Sequence, residues 1–194
     1  AKIGVPCQLI AYDRPGLVAD AVTKNEWDIS NIAAEAKRAE VINFSNPYVT
    51  IDANFLTRST ANFNNNSDVN TAGVKIAVSE RSAYDLWLTE NFREPEIVRA
   101  TTIQDSHEMF IRGEVDVLAS LKPKLLEDLS SIPNVKMIDT PFTSINQSIG
   151  VKKSNSSSLA FLNELIENLL KSGFIEESLH KHGVDKKLSI PKNK

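Results

Sequence analysis

Residues 74–130, VKIAVSERSAYDLWLTENFREPEIVRATTIQDSHEMFIRGEVDVLASLKPKLLEDLS, decide the fold class, because short apolar runs alternate there with segments of helical spacing. Each apolar run is typical of a buried strand, and each is followed by a predicted helix. The strands are predicted at 74–78, 96–100 and 115–119, and the helices at 82–91, 103–112 and 122–130. Alternation at this pitch predicts a parallel sheet and an α/β fold.

The same rhythm continues on both sides of this stretch. We predict strands at 5–10, 27–34, 41–44, 49–56 and 147–151, and helices at 16–24, 159–170 and 174–182. The segment 58–68 is polar and rich in asparagine, which indicates a loop and a boundary between subdomains. The chain therefore contains two α/β units.

Composition excludes several functional classes. The 194 residues are 41% hydrophobic and 24% charged, with a formal net charge of -3, which suits a globular protein and offers no basic surface for nucleic acid or anionic lipid. No apolar run is long enough to cross a bilayer. No secretory leader precedes Ala1, so we expect that processing has removed one or that the sequence begins downstream of it.

Cysteine and histidine give no metal or cofactor site. Cys7 is the single cysteine, which excludes an internal disulfide, and we interpret it as a small residue of the first predicted strand. His107, His180 and His182 lie at no metal-binding spacing, and we predict all three at the surface. Because there is no Gly-rich phosphate loop and no nucleophile elbow, we predict no cofactor.

Several segments resemble family 3 of the bacterial extracellular solute-binding proteins. The most specific passage is WDI at 27–29, EAKRAE at 35–40 and INFSNPY at 42–48. Weaker matches follow in the family's order. They are GVKIAV at 73–78, SAY at 82–84, GEVDVL at 113–118, IGVKK at 149–153 and LLKSG at 169–173.

The resemblance implies a two-lobed clamshell of the type II periplasmic-binding-protein kind, whose lobes are joined by two crossing strands. Lobe 1 would comprise 1–57 and 148–194, and lobe 2 would comprise 58–147. It also implies a periplasmic protein, or an extracellular membrane-anchored one, that captures a small polar solute, amino-acid-like or carboxylate-bearing, for the permease of an ABC importer. Closure of the lobes around the solute is what the permease would recognise.

In the family a further strand and helix precede the place where AKIGVP at 1–6 begins, and this segment resembles the end of that helix. We therefore expect lobe 1 to be incomplete, with a gap between the strands at 5–10 and 27–33. Unpaired strand edges attract other chains, so the resemblance implies that 5–10 shifts towards 27–33 or that the protein associates with itself.

Four of the site residues implied by the resemblance are predicted to hold an anion. Arg38 matches an arginine that binds the ligand's carboxylate, although spacing alone allows a surface ion pair with Glu35 or Glu40. Ser82 and Ala83 start a helix, so their amides and the serine hydroxyl can point at an anion, or Ser82 can be an ordinary N-cap. Ala33 can offer only its backbone.

Other positions depart from the family's pattern. Leu121 falls where amino acid binders place an aspartate that holds the ligand's ammonium, and a leucine cannot do this. Ser120 precedes Leu121, and Ser79 stands where some members have lysine. We predict that both serines contact the solute. Arg81 and Arg14 are candidate cations of the cleft, and Arg81 is otherwise a solvated loop residue. We therefore expect common α-amino acids to bind weakly.

Two alternatives remain at this stage. Some clamshell proteins of the family are dehydratases of prephenate or arogenate, and Glu80 is the nearest candidate acid or base. The chain can also be the sensor module of a signalling protein. Fold analogy does not separate these alternatives from a transport receptor, which is not an enzyme.

Overall fold

One hydrogen-bonded sheet of eight strands runs through residues 4–191, which the computed structural model describes. The strands are β1 Ile29–Ala33, β2 Ile42–Phe44, β3 Val49–Arg58, β4 Lys75–Ser79, β5 Glu96–Ala100, β6 Val117–Leu121, β7 Val135–Met137 and β8 Thr143–Lys152. The helices are α1 Pro15–Ala21, α2 Asn66–Val69, α3 Ala83–Asn91, α4 Ile103–Ile111, α5 Lys122–Ser131, α6 Ser158–Lys171 and α7 Phe174–Lys181. Short 3-10 turns span Arg38–Glu40 and Lys153–Asn155.

The alternation predicted for residues 74–130 is confirmed, since β4, α3, β5, α4, β6 and α5 follow in that order. Local sequence explains where two helices start. Thr102 and Asp105 form a reciprocal capping box at α4, and the Ser82 hydroxyl accepts from the Asp85 amide at α3. Strand β4 pairs parallel with both β5 and β6, as the pattern predicts.

Two long strands join the rest of the sheet. β3 and β8 are ten residues each and pair antiparallel with Ile51 opposite Ile145. Beyond this overlap β8 carries β1 and β2, while β3 carries β6 and β7. We call α1, β1, β2, α6, α7 and their loops the first group, and β4 to β6, α3 to α5 and their loops the second group. The predicted lobe boundaries stay a prediction.

The larger core covers both faces of the sheet that β3 forms with the second group. Phe55 and Leu56 are neighbours on β3, point to opposite faces, and are both fully buried. Phe55 stacks on Phe142 at 4.3 Å between ring centroids. The core of the first group is smaller and centres on Trp27, Ile32 and other apolar residues of α1, β1 and β2.

The first group differs from its prediction. Residues 5–10 form no strand and are exposed, so the predicted strand is wrong and Cys7 is an exposed residue of an irregular segment. An isolated apolar run lacks the backbone partners that a strand requires. The predicted parallel pairing is also absent from the described part of this group, because β1 and β2 both pair antiparallel with β8. Residues 1–3, part of the segment that resembles a helix end, lie outside the described residues.

Strand β1 leaves one edge unpaired within residues 4–191, because it bonds only to β8. Ile29 on β1 is 57% exposed, and Leu9 in the preceding segment is 91% exposed. An open edge beside exposed apolar side chains is a template for pairing with another strand.

We predict that the protein associates with itself through this edge, so that light scattering gives more than the monomer mass of 21.5 kDa. Ile29→Lys should return it to a monomer, because a charge on an edge strand disfavours pairing. Ile111→Lys, on a similarly exposed isoleucine at the end of α4, is the matched control and should not change the mass. A monomeric wild-type protein would contradict the prediction.

Candidate functional site

The turn between β4 and α3 sets the geometry of the N-terminus of α3. Arg81 has φ +58°, a left-handed conformation, and its amide donates to Asp85 Oδ2 at 2.7 Å. The Ser82 amide donates to the Ser79 carbonyl at 3.2 Å, so it is not the free donor that the sequence predicted. The amides of Ala83 and Tyr84 remain as the first N–H groups of α3, which have no intrahelical acceptor.

Arg38 lies opposite this turn and is only 5% exposed. Its Nη1 donates to the Ala33 carbonyl at 3.1 Å and its Nη2 to the Arg81 carbonyl at 3.0 Å. Burial lowers the pKa of Arg38, Glu35 opposes that shift, and the guanidinium stays charged. The reading of Arg38 as a surface ion pair is therefore wrong.

Arg38 and the start of α3 line one cavity of about 290 Å³. Arg14, Ala33, Ser82 and Ala83 line it as well, so the structure brings together five of the eight predicted site residues. The rest of the wall is largely apolar. It is made by side chains that include Val18, Ile32, Tyr84, Ile103, Leu121 and Ile145.

The other three predicted site residues do not line this cavity. Ser79 is fully buried, and its hydroxyl has no hydrogen-bond partner among the described residues. Ser120 is buried on the far side of β6, because alternate strand residues point to opposite faces. Arg81 lines a second cavity of about 430 Å³ and pairs with Asp20.

Carboxylates are scarce around the smaller cavity. Asp13 is the one acidic residue of its lining, and it is exposed. Leu121 contributes an apolar side chain to the cavity, at the position where the resemblance implies an aspartate in amino acid binders. Glu80, the candidate acid of the dehydratase alternative, does not line the cavity and pairs with Arg14 at 2.6 Å.

The model of the family described as "Bacterial extracellular solute-binding proteins, family 3" matches residues 1–185. The chain belongs to this family. A search of curated proteins gives no match.

Solved structures share the fold of this family member, the type II periplasmic-binding-protein fold. A mutant of ArgBP from T. maritima is 21% identical, with a TM-score of 0.77. A putative binding component of an ABC transporter from Wolinella succinogenes, complexed with lysine, is 16% identical, with a TM-score of 0.79. An ancestral amino acid-binding protein described as a precursor of cyclohexadienyl dehydratase is 20% identical, with a TM-score of 0.77.

Each of these alignments covers 93% of this chain and 79% of the other. At these identities the similarity shows the fold alone, and the predicted fold class is confirmed. Within residues 4–191 no helix has the length and apolar character to cross a membrane. Over the same residues no group of three His, Cys, Asp or Glu side chains could hold a metal ion.

A buried polar cluster lies behind β6 in this solute-binding protein, and the sequence did not predict it. His107 is 2% exposed, so its predicted surface position is wrong, whereas His180 and His182 are exposed as predicted. The Nε2 atom of His107 lies 3.1 Å from Ser120 Oγ. Its Nδ1 lies 2.6 Å from Asp128 Oδ2, a contact that falls short of hydrogen-bond geometry.

The cluster fixes the end of β6 against α4 and α5, next to Leu121 at the cavity. Lys124 completes it by donating to Asp128 Oδ1 at 3.2 Å. The helical spacing of apolar residues could have placed His107 on the buried face of α4, one turn before Phe110. The polar character of histidine hid that signal.

Burial lowers the pKa of His107 below its ordinary value, and Asp128 opposes this shift. The folded protein therefore binds fewer protons there than the unfolded chain, and this contribution to stability is lost as the pH falls below the unfolded value of about 6.5. We predict that His107→Gln flattens the loss of unfolding free energy between about pH 7.5 and pH 5. Urea denaturation at each pH measures it.

His182→Gln, at an exposed histidine, is the control and should keep the wild-type slope. An identical pH dependence of wild-type protein and His107→Gln would contradict the prediction.

Proposed function

We propose that this protein captures a small carboxylate-bearing solute outside the cytoplasm and presents it, in a closed form, to the permease of an ABC importer. The first and second groups would be the two lobes of the clamshell. One observation carries the proposal: the buried guanidinium of Arg38 and the free amide at the start of α3 face the same cavity of about 290 Å³. Membership of an extracellular solute-binding family supports the location and the partner.

The anion would bind to donors supplied by both groups. Arg38 uses two of its five N–H donors on protein carbonyls, which leaves three for a ligand. The Ala83 amide adds a donor at the positive end of the α3 dipole. A carboxylate matches this set, because its two oxygens can accept from a guanidinium and from an amide together.

The remaining wall favours an apolar body. Leu121, Ile103 and Ile145 contribute aliphatic surface, and the single acidic lining residue, Asp13, is exposed. An ammonium buried against Leu121 would cost about 1–3 kcal/mol or more, because no carboxylate faces it there. We infer that the solute is a carboxylate without an α-ammonium. It must be small, because the volumes of ligand pockets usually start at about 300 Å³.

A thermal-shift screen of carboxylates, α-amino acids, amines and sulfonates should select carboxylates, since a ligand of the folded state raises the melting temperature by mass action. We then predict that Arg38→Ala weakens binding of the selected carboxylate at least about tenfold by calorimetry. Arg93→Ala, on the α3 to β5 loop and outside the cavity lining, is the control. Unchanged affinity in Arg38→Ala would contradict the role of Arg38.

The wall at Leu121 gives a second prediction. Leu121→Asp should create binding of α-amino acids such as glutamine that the wild type binds weakly, because an aspartate there supplies the missing partner of the ammonium. Leu126→Asp, on a half-buried leucine of α5 outside the cavity lining, is the matched control and should bind no better than wild type. Micromolar binding of glutamine, histidine or arginine by wild type would contradict the inference, and Asp13→Asn would then test the rim carboxylate.

A further inference from the structure

The first and second groups also touch through charged side chains, of which Arg14 lines the smaller cavity and Asp20 and Arg81 line the larger one. Arg81, on the β4 to α3 turn, reaches Asp20 on α1 with two hydrogen bonds of 2.7 Å each. This is the bidentate geometry of an arginine on a carboxylate, which is stronger and more directional than a single contact. The hydrogen bonds of Arg81 lower the pKa of Asp20 below its ordinary value, as a close cation does.

A second ion pair runs beside the first with its charges exchanged between the groups. Arg14, just before α1, contacts Glu80 at 2.6 Å, and the same Nη1 lies 3.3 Å from the Thr101 carbonyl. Glu80 and Arg81 are consecutive, so one turn of the second group supplies both an anion and a cation. Arg14 and Asp20 lie six residues apart on the first group and supply the opposite signs. This pattern fixes how the two surfaces fit together.

The backbone of Arg81 also takes part in the contact. Its left-handed conformation accompanies the hydrogen bond from Arg38 to its carbonyl, which joins the groups a third time. α1 approaches closely because Gly16 has no side chain. A Cβ added there would lie 3.1 Å from the Cβ of Arg81, which is tighter than ordinary van der Waals contact.

We propose that these two ion pairs, Asp20–Arg81 and Arg14–Glu80, form a latch that holds the two groups closed before any solute binds. The proposal rests on the proposed function, since it concerns the regulation of the same cleft. Each contact joins two protein groups, so the latch needs no solute to form. Solute would enter when the latch opens, which is the step that salt promotes, and closure over the solute would add the donors of the cavity to the ion pairs of the latch.

The exposure of the latch makes it sensitive to ionic strength. The side chains of Asp20 and Arg81 are each 44% exposed, and that of Glu80 is 42% exposed. Pairs at this exposure are weakened by dissolved ions, because the screening length falls from about 30 Å at 0.01 M to about 3 Å at 1 M. Loss of one such pair should lower the ratio of closed to open protein by about two- to fivefold.

Small-angle X-ray scattering of solute-free protein tests the latch without reference to any ligand. Every protein in this test carries Ile29→Lys, which prevents pairing through the β1 edge. It is unfolded in denaturant, dialysed free of solute and refolded, and the monomer is selected by in-line size exclusion. We expect the radius of gyration of wild type to rise between about 0.01 M and about 1 M salt. The double variant Asp20→Asn with Glu80→Gln should show the larger radius at every salt concentration.

Three further variants make the test specific. Glu96→Gln breaks an exposed ion pair with Lys75 that lies within the second group, so it should behave as wild type. Asp20→Arg with Arg81→Asp reverses one pair and should restore compact, salt-sensitive protein, since aspartate tolerates the left-handed backbone. Gly16→Val keeps all four charges and inserts a side chain where α1 meets Arg81, so it should open the protein. Valine is no worse than glycine in a helix, so α1 should persist.

A radius of gyration that is the same for wild type and the double variant at low salt would overturn the latch. No salt response in wild type would overturn it as well. These results would leave the proposed function intact, because binding of carboxylates is measured separately by thermal shift. Conversely, a salt-dependent latch in a protein that binds no carboxylate would support the latch and reject the proposed ligand class.

Discussion

The buried guanidinium of Arg38 is the constraint on which the cleft depends. It is 5% exposed, and its hydrogen bonds to the Ala33 and Arg81 carbonyls join β1 to the turn before α3. A buried cation is costly unless acceptors surround it, so the protein must place carbonyls or a ligand anion around Arg38. The arrangement of both groups around the cavity follows from this requirement, because only residues drawn from both groups provide the acceptors.

The sheet explains how these acceptors reach the same place. β3 and β8 cross from one group to the other as an antiparallel pair, and each carries further strands beyond the overlap. The turn after β4 and the end of β6 therefore approach the cleft from the second group, while β1 and the 3-10 turn at Arg38–Glu40 approach it from the first. The ion pairs of Asp20 and Glu80 lie outside this ring of polar contacts, where exposure keeps them weak individually.

Most of the second group could be predicted from the sequence, because β4 and β6 are short, largely buried apolar runs and α3 and α4 start at recognisable caps, Ser82 and Thr102. The strand at 5–10 was predicted wrongly, since apolar content alone does not supply a partner strand. β7 was missed because Val135–Met137 is too short to show a period. At the site, resemblance named Arg38 and Ala83, which line the cavity. The polar character of His107 hid its place on the buried face of α4, and the pairing of Arg81 with Asp20 depends on a tertiary contact that no local pattern encodes.

The central claim is that Arg38 and the start of α3 bind a carboxylate together. The screen selects the carboxylate that gives the largest rise in melting temperature. A crystal structure of the protein with that carboxylate tests the claim directly. The account predicts carboxylate oxygens at about 2.7–3.0 Å from the Arg38 guanidinium and from the Ala83 amide, with the rest of the solute against Leu121. A solute bound elsewhere, or Arg38 bonded only to the Ala33 and Arg81 carbonyls in that complex, would contradict it.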